Sequence, residues 1–222
     1  MKNNSVIKEK YSKEISILKD IFGNSIEKAG GKGHRFYHQL RVAHYCEKLA
    51  NKVELPNDKL DNLILAALFH DIGKAPRIGE DGALDGSHKA DEKHGDHTDK
   101  NHVFYLLKQY LGHLHDEKSL NLVSDIISSK EMEEYKILSD ADNLDEVGLI
   151  NIWKMFTYGG AFNVDIQETI DYYFNEDRPR LLEKSSTRLY YEFSKELAKK
   201  RIQRVDDVLN ALISETLSED IA

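Results

Sequence analysis

Histidine followed directly by aspartate occurs twice in the chain, at His70-Asp71 and at His115-Asp116. An imidazole beside a carboxylate can ligate a metal, move a proton or lie idle in a solvated turn, so the dipeptide has meaning only in context. His115-Asp116 falls beside Gly112 and His113 between two helical patterns, where an exposed turn is the expected reading. His70 and Asp71 instead follow Leu63 and Ile64 by seven residues each, which places both on the last turn of an apolar helical face. A carboxylate carried into such a face is costly unless a cation or metal neutralises it, and a buried imidazole needs hydrogen-bond partners.

Two further stretches direct similar groups inward. His38 shares a helical face with Val42, Tyr45 and Leu49. Leu138, Ala141, Asp142, Asp145, Leu149, Ile152 and Phe156 form a stripe that carries two carboxylates on an otherwise apolar surface. Asp140, Asp142 and Asp145 are all candidate ligands, but Asp140 points about 160° away from Asp142 at roughly 100° per residue, which favours Asp142. His38, His70, Asp71 and Asp142 then make a mixed nitrogen and oxygen donor set suited to Mn, Fe, Co, Ni or Zn.

The elements that must position these groups read as helices almost throughout, and the expected fold is an all-α bundle in one domain over 1–222. Ile7, Tyr11, Ile15 and Leu18 form a first stripe that ends near Gly23, and Gly30-Gly31-Lys32-Gly33 leads into a second helix near His34. Leu60, Leu63, Ile64, Ala67 and Leu68 have the spacing of a helix with one buried face, and Gly73 offers a C-terminal cap. Periodicity returns over 98–111, 120–128 and 137–156, with Gly159-Gly160 ending the last run. A closing helix over 185–216 presents Lys199, Lys200, Arg201 and Arg204 on a solvated face. From Ala75 to about Asp96 the pattern dissolves into Pro76, Gly79, Gly82, Gly86 and charges, far longer than most connections, and the segment reads either as a solvated insertion or as a lid.

At 222 residues with 40% hydrophobic content the chain can bury a sizeable core. Its 31 Lys and Arg against 39 Asp and Glu give a formal charge of -8, which disfavours attraction to nucleic acid or an anionic membrane, so an anionic substrate needs a local positive site. Cys46 is the lone cysteine, flanked by Val42, Ala43 and Leu49, and fits packing in a reducing cytoplasm. Met1-Lys2-Asn3-Asn4-Ser5 precedes no apolar run, and no stretch approaches the roughly 20 residues that span a bilayer. A soluble, unprocessed, cytoplasmic protein is expected, without a membrane or stable nucleic-acid partner; the sequence gives no sign of its oligomeric state.

Leu65-Ala66-Ala67-Leu68-Phe69-His70-Asp71-Ile72-Gly73-Lys74 resembles the apolar-helix and His-Asp-Ile-Gly-Lys signature of the HD-domain superfamily of metal-dependent phosphohydrolases. Gly33-His34-Arg35-Phe36-Tyr37-His38-Gln39-Leu40-Arg41-Val42 resembles that superfamily's first metal-histidine motif, and Asp140-Ala141-Asp142-Asn143-Leu144-Asp145 its final-aspartate motif, with Asp142 in the ligand place. Gly148, Ile150, Ile152, Lys154, Phe156 and Tyr158-Gly159-Gly160 are similar to one small bacterial single-domain branch, as is the segment from Ser186-Thr187 to Ala198-Lys199-Lys200-Arg201. Coverage runs from Gly33 to the end, with the core motifs over 33–160.

The resemblance implies a helical bundle with one divalent metal in its core, Mn or Fe favoured and Mg admissible, and hydrolysis of a phosphate ester or phosphoanhydride in a small phosphorylated molecule, a nucleotide above all. His97 resembles the superfamily's extra histidine after the loop and is a candidate for substrate binding or proton transfer; Asp145 is a candidate for substrate contact or for acting as base through water. Two-metal members have a further histidine where this chain reads Ile126-Ile127-Ser128-Ser129-Lys130, which argues against a second full site unless His94 or His102 substitutes. Lys74 and Lys154 are candidates to stabilise developing negative charge, and Arg35 and Arg41 to clamp phosphate, Arg41 alternatively pairing with a carboxylate. The alternative function is a noncatalytic nucleotide sensor that keeps the metal site; metal-dependent oxidation on the same scaffold needs two irons and fits less well.

Overall fold

The computed structural model describes residues 6–27, 30–75, 99–219 and 221. The segment after Ala75, with His94 and His97, lies outside the described residues. The helices are α1 (Val6–Lys10), α2 (Ser12–Phe22), α3 (His34–Lys52), α4 (Asn57–Phe69), α5 (Lys100–Leu111), α6 (Glu117–Ser128), α7 (Glu133–Asp145), α8 (Leu149–Phe162), α9 (Ile166–Tyr172), α10 (Arg178–Thr187) and α11 (Glu192–Thr216). Two two-residue strands, Ile26–Glu27 and Gly31–Lys32, are the only β-structure among the described residues, so the fold is all-α. The chain divides into two compact units, one drawn from Met1–Glu27 and Lys32–Ala141, the other from Lys28–Gly31 and Asp142–Ala222.

In the first unit α4 is the central element, packed against α2, α3 and α6. Every residue from Leu63 to Phe69 is buried, rather than the single face that the spacing predicts. Neighbours on several sides explain the difference, and each fully buried large side chain there contributes about 1.5–3 kcal/mol of transfer free energy. The α-helix stops at Phe69; His70 is the cap, still right-handed, and Ile72–Lys74 tightens into a 3-10 turn. Lys74 N–H to Asp71 C=O at 2.8 Å and Ala75 N–H to Ile72 C=O at 2.8 Å close that turn. His70 and Asp71 therefore lie just past the helix, and Gly73 is a member of the tighter turn that follows rather than the helix cap.

The predicted stripe at the start splits at Tyr11, although Tyr11 N–H to Ile7 C=O and Ile15 N–H to Tyr11 C=O, both 2.9 Å, carry the spiral across the break. His115-Asp116 is more than a solvated turn. Asp116 caps α6 by accepting from Ser119 N–H at 2.7 Å, and His115 Nε2–H donates to the buried Glu14 carboxylate at 2.9 Å. Cys46 is fully buried in packing, as its neighbours predict.

The expected single run over 137–156 is two helices, α7 and α8. Gly148, at φ +116°, turns the chain between α7 and α8, a conformation closed to other residues, and an added Cβ would meet Arg201 side-chain carbons at 3.3 Å. Gly159-Gly160 does not end α8, which runs on to Phe162 and is capped by Asn163 at φ +56°. Gly159 serves packing: a Cβ there would stand 2.8 Å from Thr169 Oγ1. The closing helix also starts later than predicted, since Ser186 and Thr187 end α10 with their hydroxyls bonded back to Glu183 C=O and α11 begins at Glu192. Between α9 and α10 a π-helical turn, Tyr173–Asp177, brings Tyr173 and Asp177 into the interior. Asp206 accepts from Tyr173 Oη at 2.8 Å and from Arg178 Nε at 2.9 Å, and Asp177 accepts from Asn151 Nδ2 at 2.7 Å. Lys199, Lys200 and Arg204 are exposed as predicted, whereas Arg201 is half-buried and donates to Leu144 C=O at 2.6 Å. Among the described residues no helix is long and apolar enough to cross a membrane.

Candidate metal centre

α3 and α4 pack side by side in the first unit, and that packing brings His38, on the second turn of α3, against His70 at the end of α4. Their Nε2 atoms stand 3.2 Å apart with the rings edge to face. His70 Nδ1 lies 2.8 Å from the carbonyl of Ala67, three residues earlier. A carbonyl only accepts, so Nδ1 carries the proton and Nε2 is the ring nitrogen left to serve as a ligand. This backbone bond is the usual device by which a metal-ligating histidine is held in one tautomer and one orientation.

Asp71 completes the group. One donor atom from each of His38, His70 and Asp71 lies within 4.8 Å of the others, and among the described residues no other set of three or more His, Cys, Asp or Glu side chains comes so close. Metal–nitrogen bonds of about 2.1 Å put two neighbouring nitrogens roughly 3.0 Å apart at an octahedral angle and roughly 3.4 Å apart at a tetrahedral one. The 3.2 Å between the two Nε2 atoms, a hydrogen-bonding separation without an ion, falls in that range, so the residues present fit a divalent ion.

The Asp71 carboxylate is buried and engaged on both oxygens: Arg35 Nη1 donates to Oδ2 at 2.5 Å and Lys74 Nζ to Oδ1 at 2.7 Å. Burial alone pushes this carboxyl up, but the neighbouring His70, Lys74, Arg35 and His38 outweigh it and hold Asp71 well below the usual carboxylate range. Arg35 and Lys74, read from sequence as a phosphate clamp and a charge stabiliser, are thus also the counter-ions of a candidate ligand. His34, which the sequence reading passed over, lies one turn before His38 with its ring stacked at a centroid distance of 6.2 Å. The signal was its i, i+4 spacing from His38.

The remaining predicted residues are placed as follows. Arg41 is half-buried on α3. Asp142 is half-buried and Asp145 buried, both on α7 of the second unit's sequence range, and Lys154 is half-buried on α8. Asp140 is fully buried, against the expectation that it points away from the core. That expectation assumed one buried face, whereas Ile137, Leu138, Asp140, Ala141, Leu144 and Asp145 are all buried, so α7 is enclosed on more than one side. His102 is exposed on α5, and its backbone N–H is capped by Asp99 at 2.8 Å. Where two-metal relatives would need a histidine, Ile126 and Ile127 are buried apolar residues at the end of α6.

Fold and site together define a class. Residues 35–147 match the HD domain, and the chain belongs to that family. Membership places it among hydrolases that bind divalent metals, metal-dependent phosphohydrolases in general. An HD-superfamily hydrolase from Bacillus thuringiensis is 22% identical, with 94% of this chain and 97% of that one covered and a TM-score of 0.62. Bacillus subtilis YpgQ, solved in complex with ADP, is 20% identical over 91% of this chain and 97% of its own, with a TM-score of 0.57. A predicted HD-superfamily hydrolase from an uncultured Thermotogales bacterium is 21% identical over 92% and 91%, with a TM-score of 0.56. These likenesses show the fold. No curated protein matches the chain.

Proposed function

We propose that the protein hydrolyses a phosphate ester or phosphoanhydride bond of a small phosphorylated molecule, a nucleotide first among them, with one divalent ion at His38, His70 and Asp71. The observation that carries this reading is the facing pair of imidazole Nε2 atoms beside a buried carboxylate that two cations surround. In a chain of net charge -8, such a cluster is the local positive site that an anionic substrate requires. Asp142 is proposed as the fourth ligand on the order of the motifs, and Mn or Fe as the native ion. When bound, the ion supplies Lewis-acid neutralisation of phosphate oxygens and activation of water.

The chain's own residues supply the rest. Arg35 and Lys74 stand beside the ligand carboxylate, where each can also donate to a nonbridging phosphate oxygen and stabilise charge as the bond to the leaving group breaks. Lys154 and Arg41 are further candidates for phosphate contact, and His97 or Asp145 for accepting the proton of the attacking water. The choice of a nucleotide draws support from the ADP complex of YpgQ. Release of phosphate or pyrophosphate from nucleotides on addition of Mn or Co, and its loss in Asp71→Ala, tests the proposal. Nucleotide binding with no turnover in the loaded wild type would replace the enzyme with a sensor.

A further inference from the structure

The distances around Asp71 contain an asymmetry. The two imidazole nitrogens stand at the spacing of neighbouring metal ligands, 3.2 Å, but Asp71 Oδ1 is 3.9 Å from His70 Nε2. A carboxylate oxygen sharing an ion with that nitrogen would stand roughly 3.0–3.4 Å from it in a neighbouring position and roughly 4.2 Å in the opposite one, for bonds of about 2.1 Å. The carboxylate is already held on both oxygens, by Arg35 at 2.5 Å on Oδ2 and by Lys74 at 2.7 Å on Oδ1. Arg35 reaches Asp71 from a different helix, 36 positions earlier in the chain, with its side chain 21% exposed.

Groups around a metal ligand ordinarily strengthen it: a carbonyl or carboxylate accepting from a histidine raises that ring's donor power, and removing the partner weakens metal binding about 10–100-fold. The Ala67 carbonyl on His70 is of that kind. Arg35 is of the opposite kind. It withdraws electron density from a ligand oxygen, repels an incoming dication, and must yield part of its hold before Asp71 can close on the ion.

Resting on the metal-site reading above, we infer that Arg35 competes with the metal for Asp71 and holds the site's affinity down, so that the centre is a moderate-affinity, exchangeable one. Lys74 opposes the metal in the same way from the other oxygen. The cost to metal binding is matched by a gain for substrate, because a guanidinium that shares Asp71 with the ion is also placed to donate to a phosphate oxygen.

Calorimetric titration of Mn into chelator-stripped full-length protein tests this, with wild type, Arg35→Gln, Arg35→Lys and Lys74→Gln compared and circular dichroism confirming the fold of each. The inference expects Arg35→Gln to bind Mn about tenfold more tightly than wild type, the reverse of the usual effect of removing a supporting group. Lys74→Gln should shift the same way, and Arg35→Lys should stay closer to wild type because the charge is kept. Binding that is unchanged or weaker in both neutral variants overturns the competition while leaving the metal site standing. No Mn binding by the wild type overturns the metal-site reading, and the inference with it.

Discussion

A single local bond orients His70: Nδ1–H to the carbonyl of Ala67 turns Nε2 toward His38. Replacing His70 by Ala removes a proposed ligand that is already oriented, and Mn affinity measured by calorimetry should fall on the order of 100-fold or more. Asp71 makes a separate prediction in the metal-free protein. Its folded pKa is depressed, so the stability it contributes is fully present above its unfolded value near about 4 and is lost as pH falls through the lower folded value. The advantage of wild type over Asp71→Asn in denaturant titrations should therefore hold above about pH 4 and shrink below it. At this scale His38, His70 and Asp71 were legible in the sequence, because helical spacing puts each against apolar neighbours and polar groups in such places need a reason. The pairing of Arg35 with Asp71 was not legible, since it depends on how α3 and α4 pack rather than on spacing within either.

At the scale of elements, the helices themselves could be read from spacing, and their interruptions could not. Gly148 looked like one more position in a continuous stripe, yet its φ of +116° divides α7 from α8. Gly148→Ala should cost about 1–3 kcal/mol in unfolding free energy, from the strained backbone conformation and from contact with Arg201. Gly73 and Gly159-Gly160, read as stop signals, proved to be a member of a 3-10 turn and part of a helix. A glycine's consequence depends on what approaches it, and that is tertiary information. The enclosure of α4 was underestimated for the same reason. Leu68, fully buried, should cost about 2–5 kcal/mol on replacement by Ala, measured by chemical denaturation.

For the molecule as a whole, the acidic balance and the cationic surroundings of Asp71 are complementary observations. A chain of net charge -8 repels polyanions in general, and on the proposed reading Arg35, Lys74 and a bound dication would reverse the local sign where the substrate enters. Ligation at the proposed site on α3 and the end of α4 would also couple metal to folding, because the ion would bind the folded chain and not the dispersed ligands. At a free Mn concentration 100 times the dissociation constant the stabilisation is about 2.7 kcal/mol, which for a chain of this size corresponds to a rise in Tm of roughly 5–10 °C. Differential scanning calorimetry should show that rise in wild type and not in His70→Ala.

The central claim, metal-dependent hydrolysis of a small phosphorylated molecule, is tested most directly by incubating the Mn-loaded protein with a panel of nucleotides and sugar phosphates and identifying the products by mass. The account predicts that at least one nucleotide is cleaved to phosphate or pyrophosphate, that chelation stops the reaction, and that Asp71→Ala does not perform it. A loaded, folded wild type that leaves every member of the panel intact would contradict it.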